Sequence, residues 1–147
     1  MAMPLPSTSR SLPIALLRAR ERVMGPIRAM LTDVGITEQQ WRVLRVLEEA
    51  GPMEPTRIAE RACLLLPSLT RILQKLEEKS LISREQDISD RRKQIVEITA
   101  AGAEVIAANL ATSLALMEEV RLRMGPDRFE SLLDLLNELD TPDTADG

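Results

Sequence analysis

The chain has 147 residues and a net charge of −4, which allows one domain with a hydrophobic core plus dimerisation arms. It contains no His and a single Cys, which excludes His-based catalytic triads, intrachain disulfides and most zinc sites; we expect no enzyme, metal or cofactor. Residues 57–93 hold nine Lys or Arg against six Asp or Glu, whereas residues 100–147 hold three against ten.

The N-terminal part of the chain predicts a flexible arm and then a long amphipathic helix. Residues 1–10 are rich in Pro and Ser, as expected of an arm without fixed structure. From residue 11 to residue 36, apolar side chains recur at steps of three and four, which is the spacing of one helix face. They are Leu12, Leu16, Ala19, Val23, Ile27 and Met30. Pro26 predicts a kink and not an end, because this apolar stripe continues in register.

Three shorter helices are predicted next. Thr37 and Gln40 have the spacing of a capping box, so a helix should begin here and run to about Ala50. Pro55 is a favourable first residue for a short helix, and Pro67 opens another that we expect over 67–79. The last of these helices should bury Leu69, Ile72, Leu73 and Leu76.

A β-hairpin and two further helices complete the predicted elements. Strands are expected near Leu81–Gln86 and Gln94–Ile98, because β-branched residues favour the second strand and a polar loop separates the two. Thr99 should cap a long helix that breaks at Gly125-Pro126. A final helix should end at Thr141-Pro142.

These elements predict a mainly α fold with a small β-hairpin wing, that is, a winged helix–turn–helix with N- and C-terminal dimerisation helices. The expected organisation is a flexible arm (1–10), a dimerisation helix (11–36), a winged helix–turn–helix DNA-binding domain (37–99), C-terminal dimerisation helices (100–140) and a flexible tail (141–147).

The helix over 67–79 is the predicted recognition element, because its polar residues lie opposite its buried face. We expect Arg71 to contact guanine and Gln74 adenine, the pairings that suit the edges of those bases. The other residues of the predicted DNA-binding set are expected to contact phosphates or support that contact; they are Ser68, Thr70 and Lys75 in this helix and Thr56 in the helix before it. The alternative interpretation is a polar surface that only faces solvent.

The loop of the hairpin is strongly basic. Arg91, Arg92 and Lys93 are consecutive, and Asp90 precedes them. A planar guanidinium fits the negative potential of a narrow minor groove, and a neighbouring Asp is suited to hold it in position. A charged loop without a partner is the alternative.

With these residues considered, the chain resembles the MarR family of bacterial transcriptional regulators. The wing carries the family's motif at Asp90, Arg92, Val96, Ile98 and Thr99. The resemblance covers about residues 11–139 and implies that Arg92 enters the minor groove with Asp90 as its buttress.

Three segments are similar to the homoprotocatechuate degradation operon regulators within this family. These segments are residues 11–21, 37–45 and 60–71. The similarity implies a repressor of an aromatic-acid catabolic operon, released by a hydroxyphenylacetate or a related small aromatic carboxylate. A DNA-binding regulator without any small-molecule ligand is the alternative within the same class.

Arg20 is the candidate anchor for such a ligand. It falls within the apolar stripe of the first helix, and a buried guanidinium requires a carboxylate partner. Met24 and Trp41 would provide apolar walls. An internal salt bridge to Glu or Asp is the competing explanation for Arg20, and ordinary core packing is the competing explanation for Trp41. Cys63 is expected to be a buried structural thiol.

The expected partners are double-stranded DNA and a second copy of the chain. A helix of about 25 residues is about 37 Å long, too long for its own small domain to cover, so we expect a helical homodimer. Its recognition helices would lie roughly 34–36 Å apart, on a pseudo-palindromic operator.

We see neither a signal peptide nor a stretch near the ~18 apolar residues of a membrane span, and expect a cytoplasmic protein. A winged-helix module that binds protein is the alternative from another class.

Overall fold

The computed structural model describes residues 3–5, 7–90 and 92–142. These residues form six α-helices and a two-stranded antiparallel sheet, so the predicted mainly α fold with a hairpin is confirmed. The elements are α1 (Leu12–Thr32), α2 (Glu38–Ala50), α3 (Pro55–Ala62), α4 (Leu66–Glu78), β1 (Ile82–Gln86), β2 (Gln94–Ile98), α5 (Ala100–Met124) and α6 (Pro126–Asp140). The chain divides into two compact units, Met1–Ala111 and Thr112–Gly147.

Local signals position the helix starts as predicted. The Thr37 hydroxyl accepts a hydrogen bond from the Gln40 amide at 3.1 Å, and the Gln40 side chain accepts one from the Thr37 amide at 3.2 Å. This capping box satisfies two N–H groups that the first turn of α2 would otherwise leave free. Pro55 and Pro67 lie in the first turns of α3 and α4. Helix α1 continues through Pro26, as the apolar stripe predicts.

Part of the expected N-terminal arm has regular structure. Within the expected flexible arm, Thr8–Arg10 form a 3-10 turn in which the Arg10 amide donates to the Ser7 carbonyl at 2.8 Å. This part of the arm therefore has local structure. Of the expected tail, residues 143–147 lie outside the described residues.

The core of the first unit lies between α2 and the helices that follow it. Val43, Leu44 and Leu47 on one face of α2 are almost completely buried. Leu69, Leu73 and Leu76 of α4 are buried in the same core, at three- and four-residue spacing. Burying each such side chain stabilises the fold by about 1.5–3 kcal/mol, which holds α4 with its polar face outward.

The hairpin is attached to the helical core at its base. In the antiparallel pair, Ile82 lies opposite Ile98 and Gln86 opposite Gln94. Strand β2 also forms a bridge to Met53: the Met53 amide donates to the Val96 carbonyl at 3.1 Å, and the Val96 amide donates back at 2.9 Å. Val96 is fully buried, so the base of the wing is part of the core.

The start of α5 is fastened to the segment between α4 and β1. The Thr99 hydroxyl donates to the Ser80 carbonyl at 2.7 Å and accepts from the Gly102 amide at 3.1 Å, which is the predicted cap. Gly102 lies so close to the chain that an added Cβ would collide with the Leu81 carbonyl oxygen and with the Ile98 side chain, 2.7 Å away. Only glycine fits here without movement of the backbone.

The second unit holds the end of α5 and all of α6. Large apolar side chains of α6 are exposed in the isolated chain; they are Leu132, Leu133, Leu135, Leu136 and Leu139. By length and composition alone, α5 is long and apolar enough to cross a membrane, so the expectation that no stretch comes near this is wrong. The core helix of a soluble protein passes the same test of length and composition.

Gly102→Ala should destabilise the fold by about 1–3 kcal/mol, although Ala favours helix more than Gly does, because the new methyl group overlaps backbone. Urea unfolding followed by circular dichroism measures this. Ala101→Gly on the neighbouring exposed position is the control and should cost about 1 kcal/mol by helix propensity alone. Stabilisation by Gly102→Ala would contradict the close approach.

Candidate DNA-binding surface and ligand site

Helix α4 presents a polar face to solvent along most of its length. Ser68, Thr70, Arg71, Gln74 and Lys75 are all exposed, opposite the buried leucines of the same helix. Arg71 and Gln74 are one turn apart, near the middle of this face. Neither side chain forms a hydrogen bond or ion pair with any residue that the structure describes. Their donors and acceptors are therefore available to a binding partner.

The other polar residues of the predicted DNA-binding set differ in whether their side chains already have a protein partner. The Thr70 hydroxyl donates to the Leu66 carbonyl at 3.2 Å, one turn earlier in α4. The Lys75 amine lies 3.7 Å from the Glu78 carboxylate, an exposed pair that costs little to break. Thr56 is exposed in the first turn of α3, so its hydroxyl faces solvent beside the start of that helix.

The tip of the hairpin is closed by short-range hydrogen bonds that leave Arg92 extended. The Asp90 carboxylate accepts from the Arg92 amide at 3.0 Å and lies 3.9 Å from its Nε. Arg92 itself is 97% exposed, so Asp90 holds the backbone of this arginine more firmly than its guanidinium. Arg91, which belongs to the same predicted set, lies outside the described residues.

A second turn at the tip orders the start of the loop. The amide and the hydroxyl of Ser89 both donate to the Asp87 carboxylate, at 2.9 and 2.8 Å. These two bonds hold the pKa of Asp87 below its ordinary value. Asp87 is therefore ionised near neutral pH and can accept both hydrogen bonds.

Three charged residues outside the predicted set lie beside this surface. Glu54, just before α3, lies 3.7 Å from the Lys93 amine and links the wing to the helical core. Arg57 and Arg61 are exposed on α3, one turn apart, and line an open groove of about 990 Å³ that also touches Ile95 of the wing. The four-residue spacing of the two arginines was visible in the sequence, whereas the contact of Glu54 with Lys93 depends on the fold.

An ion pair joins the end of α4 to the wing. The Arg84 guanidinium of β1 donates to the Glu77 carboxylate at 2.7 Å. This hydrogen bond, together with the charge of Arg84, holds the pKa of Glu77 below its ordinary value of 4.5. Helix α4 and the hairpin are thus connected by a charge-assisted contact as well as by the backbone.

The candidate ligand anchor Arg20 already has a partner in the isolated chain. Its guanidinium donates to the Glu38 carboxylate at 2.9 Å, at the first residue of α2. Its side chain is 43% exposed, so the expected burial of this arginine is wrong for the isolated chain. The neighbouring Arg28 forms a bidentate pair with Glu21, with both bonds at 2.8 Å, and lowers the pKa of that carboxyl group.

The two expected walls of the ligand site lie in different environments. Met24 is half-buried one turn after Arg20, whereas Trp41 is buried in the core. The expectation that Cys63 is buried is wrong. This residue is exposed, because it ends α3 in the left-handed conformation with φ of 55° and its side chain turns to solvent.

Comparison with known proteins identifies the class of this fold and site. The MarR family model matches residues 36–93. This range holds α2, α3, α4, strand β1 and the hairpin loop up to Lys93. Over 140 residues, covering 93% of this chain and 94% of the relative, the chain is 37% identical to the HTH-type transcriptional regulator FarR of Neisseria gonorrhoeae.

Two further relatives agree with this class. The homoprotocatechuate degradative operon repressor of Escherichia coli is 35% identical over 128 residues, which is 87% of this chain and 86% of the relative. The crystal structure of NadR in complex with 4-hydroxyphenylacetate superposes with a TM-score of 0.80 at 35% identity, covering 93% of this chain and 97% of NadR.

The chain is therefore a winged helix–turn–helix regulator and not an enzyme. It belongs to the MarR family of transcriptional regulators, as the wing motif predicts.

Glu77→Gln should make the stability of the protein less sensitive to acid. Because Arg84 lowers the pKa of Glu77 in the folded chain, their pairing stabilises the fold above the ordinary pKa, and this stabilisation disappears as pH falls through the lowered value. The Tm, followed by circular dichroism from about pH 7 to about pH 3, should fall more steeply for the wild type than for the variant. Glu78→Gln, one residue on, is the control, and parallel curves for wild type and Glu77→Gln would contradict the pairing.

Proposed function

We propose that this protein is a homodimeric repressor that binds operator DNA through α4 and the wing and is released by a small aromatic carboxylate. The observation that carries the proposal is the free polar face of α4, where Arg71 and Gln74 have no protein partner among the described residues and face solvent. A surface helix with one buried apolar face and a free Arg and Gln at its centre suits the major groove.

The wing supports the same role. Arg92 extends from the tip with 97% of its side chain exposed, and its backbone is fixed by Asp90. A fixed, extended guanidinium suits a narrow minor groove. Lys93, which is held near Glu54, and Arg91 would add phosphate contacts beside it.

Homodimerisation is supported by the exposed apolar side chains of the terminal helices. Leu12, Leu16 and Leu17 of α1 are exposed in the isolated chain, as are the leucines of α6. Exposed patches of this kind mark interaction surfaces, and a two-fold dimer is the commonest way to cover them. A chromosome-binding dimer acts in the cytoplasm, which is the location we propose.

Release by an aromatic carboxylate is supported by the two relatives named for such compounds and by the position of Arg20. The similarity to these relatives covers 87% and 93% of this chain. Arg20 and Met24 lie in α1, and Trp41 lies near the start of α2. A ligand carboxylate would compete with Glu38 for the Arg20 guanidinium, which is half-exposed and therefore within reach of a solute. A DNA-binding regulator without a small-molecule ligand would lack this response. A winged-helix module that binds protein would lack the affinity for DNA.

The direct test is fluorescence anisotropy with a labelled duplex from upstream of the protein's own gene, at fixed salt. Wild type should bind this duplex more tightly than a scrambled one, and 3,4-dihydroxyphenylacetate or 4-hydroxyphenylacetate should weaken the binding. The neutral 4-hydroxyphenylacetamide is the control and should have little effect, because it cannot pair with an arginine.

The Arg20→Met variant should keep its DNA affinity and lose most of the response to the acid. A response identical to that of the wild type would remove Arg20 from the ligand site. Binding that the acids leave unchanged would exclude the effector and retain the DNA-binding regulator, whereas equal affinity for both duplexes would favour the protein-binding module.

The two arginines of the surface should differ in how they affect DNA binding. Arg92→Ala should weaken binding to all duplexes and reduce the slope of log affinity against log salt by about 1, because a phosphate-proximal charge is lost. Arg71→Ala should cost about 1–3 kcal/mol on the preferred duplex and relax the preference at one position in each half-site. Losses from both variants that are equal and independent of sequence would contradict base contact by Arg71.

A further inference from the structure

We infer that Arg42 and Lys79 are positioning residues that fix the two ends of the recognition helix to the rest of the domain and so set the orientation in which α4 meets DNA. The inference rests on the proposed DNA-binding function. It concerns two side chains that lie outside the predicted contact set and that are bound to protein oxygens.

Arg42 holds the turn that leads into α4. From the middle of α2, its Nη1 donates to the Ala62 carbonyl at 2.9 Å and lies 3.5 Å from the Cys63 carbonyl. These carbonyls end α3, where they have no partner within the helix, and a cation is favourable at a helix C-terminus. The guanidinium therefore binds the turn between α3 and α4 to α2, across 20 residues of sequence.

The setting of Arg42 shows that this contact is kept at a cost. Its Nε is buried and has no hydrogen-bond partner among the described residues. Leaving a buried donor unpaired is unfavourable. The turn itself contains Cys63 in a left-handed conformation that L-residues disfavour. A guanidinium bound to two successive carbonyls stabilises this turn and fixes where α4 begins.

Lys79 holds the opposite end of α4. It is the C-cap residue directly after Glu78, and its amine donates to the Gly35 carbonyl at 2.6 Å and to the Gln40 side-chain oxygen at 3.3 Å. Gln40 is buried and uses the same oxygen in the capping box with Thr37. One ammonium group therefore joins the end of α4 to the corner between α1 and α2.

Together the two contacts fix the segments on either side of α4: Arg42 binds the end of α3 to α2, and Lys79 binds the end of α4 to the corner before α2. A helix of 13 residues is about 20 Å long, so a tilt of about 10° about one end moves the other by about 3 Å. Binding groups must be held within about 0.5 Å and 10–20° of their productive geometry. The leucines of α4 provide attraction without direction, whereas the two polar contacts define where each end lies.

The test separates orientation from charge and from stability. Wild type, Arg42→Met and Lys79→Met are titrated by anisotropy against the tightest duplex that wild type selects from a random pool and against a scrambled duplex. The titrations are made at several salt concentrations and below the Tm of every variant. Arg42→Lys and Lys79→Arg are the conservative variants, and Arg128→Met on α6 is the control for loss of an exposed cation.

We expect each Met variant to bind the selected duplex about tenfold more weakly and the scrambled duplex within about twofold of wild type. The salt slope should stay unchanged, because neither side chain is assigned to a phosphate. The conservative variants should recover most of the selected-duplex affinity.

Three results would overturn the inference. A salt slope reduced by about 1 would make the residue a phosphate contact. An equal loss of affinity for both duplexes would mean that the residue contributes only to stability. Unchanged affinity would mean that the residue has no role in DNA binding. Failure of wild type to prefer any duplex would instead reject the proposed function itself, and the positioning role with it.

Discussion

The structure depends on one constraint, which is that α4 must bury one side completely and leave the other free. Leu69, Leu73 and Leu76 meet the first condition, and they do so against an α2 face whose own side chains are almost completely buried. Everything around the helix serves this arrangement: the bridge of Met53 to Val96 brings the wing into the same core, and Glu77 joins it to α4 through Arg84. The polar face can remain without partners because the fold is stabilised elsewhere.

The elements of the fold could be predicted because their signals are local. A capping box spans four residues, a proline marks its own first turn, and the apolar stripe of α1 is visible through Pro26. The exposed face of α4 follows from the same periodicity. The errors lie where a residue's environment depends on distant parts of the chain. Arg20 has the spacing of a buried residue yet is partly exposed and pairs with Glu38, 18 positions away. The contact of Lys79 with Gly35, across 44 positions, has no signal in the sequence.

Basic and acidic residues are concentrated in different parts of the chain, the basic ones in its middle and the acidic ones in its last third. The basic residues of α3, α4 and the wing occupy the first unit, whereas the ten acidic residues of 100–147 belong mostly to α5, α6 and the segment after them. The acidic stretch disfavours contact of those helices with a polyanion, and their exposed leucines favour contact with protein instead. A net charge of −4 is therefore compatible with nucleic-acid binding.

The scarcity of aromatic residues has a spectroscopic consequence. Trp41 is the only tryptophan, the chain has no tyrosine, and the indole is buried on α2 directly beside Arg42 in sequence and three residues after Glu38. Tryptophan fluorescence therefore originates from a single ring, on the helix that begins at Glu38 and packs against α4. The molecule carries an intrinsic optical reporter of its own core, with one emitter per chain and no label required.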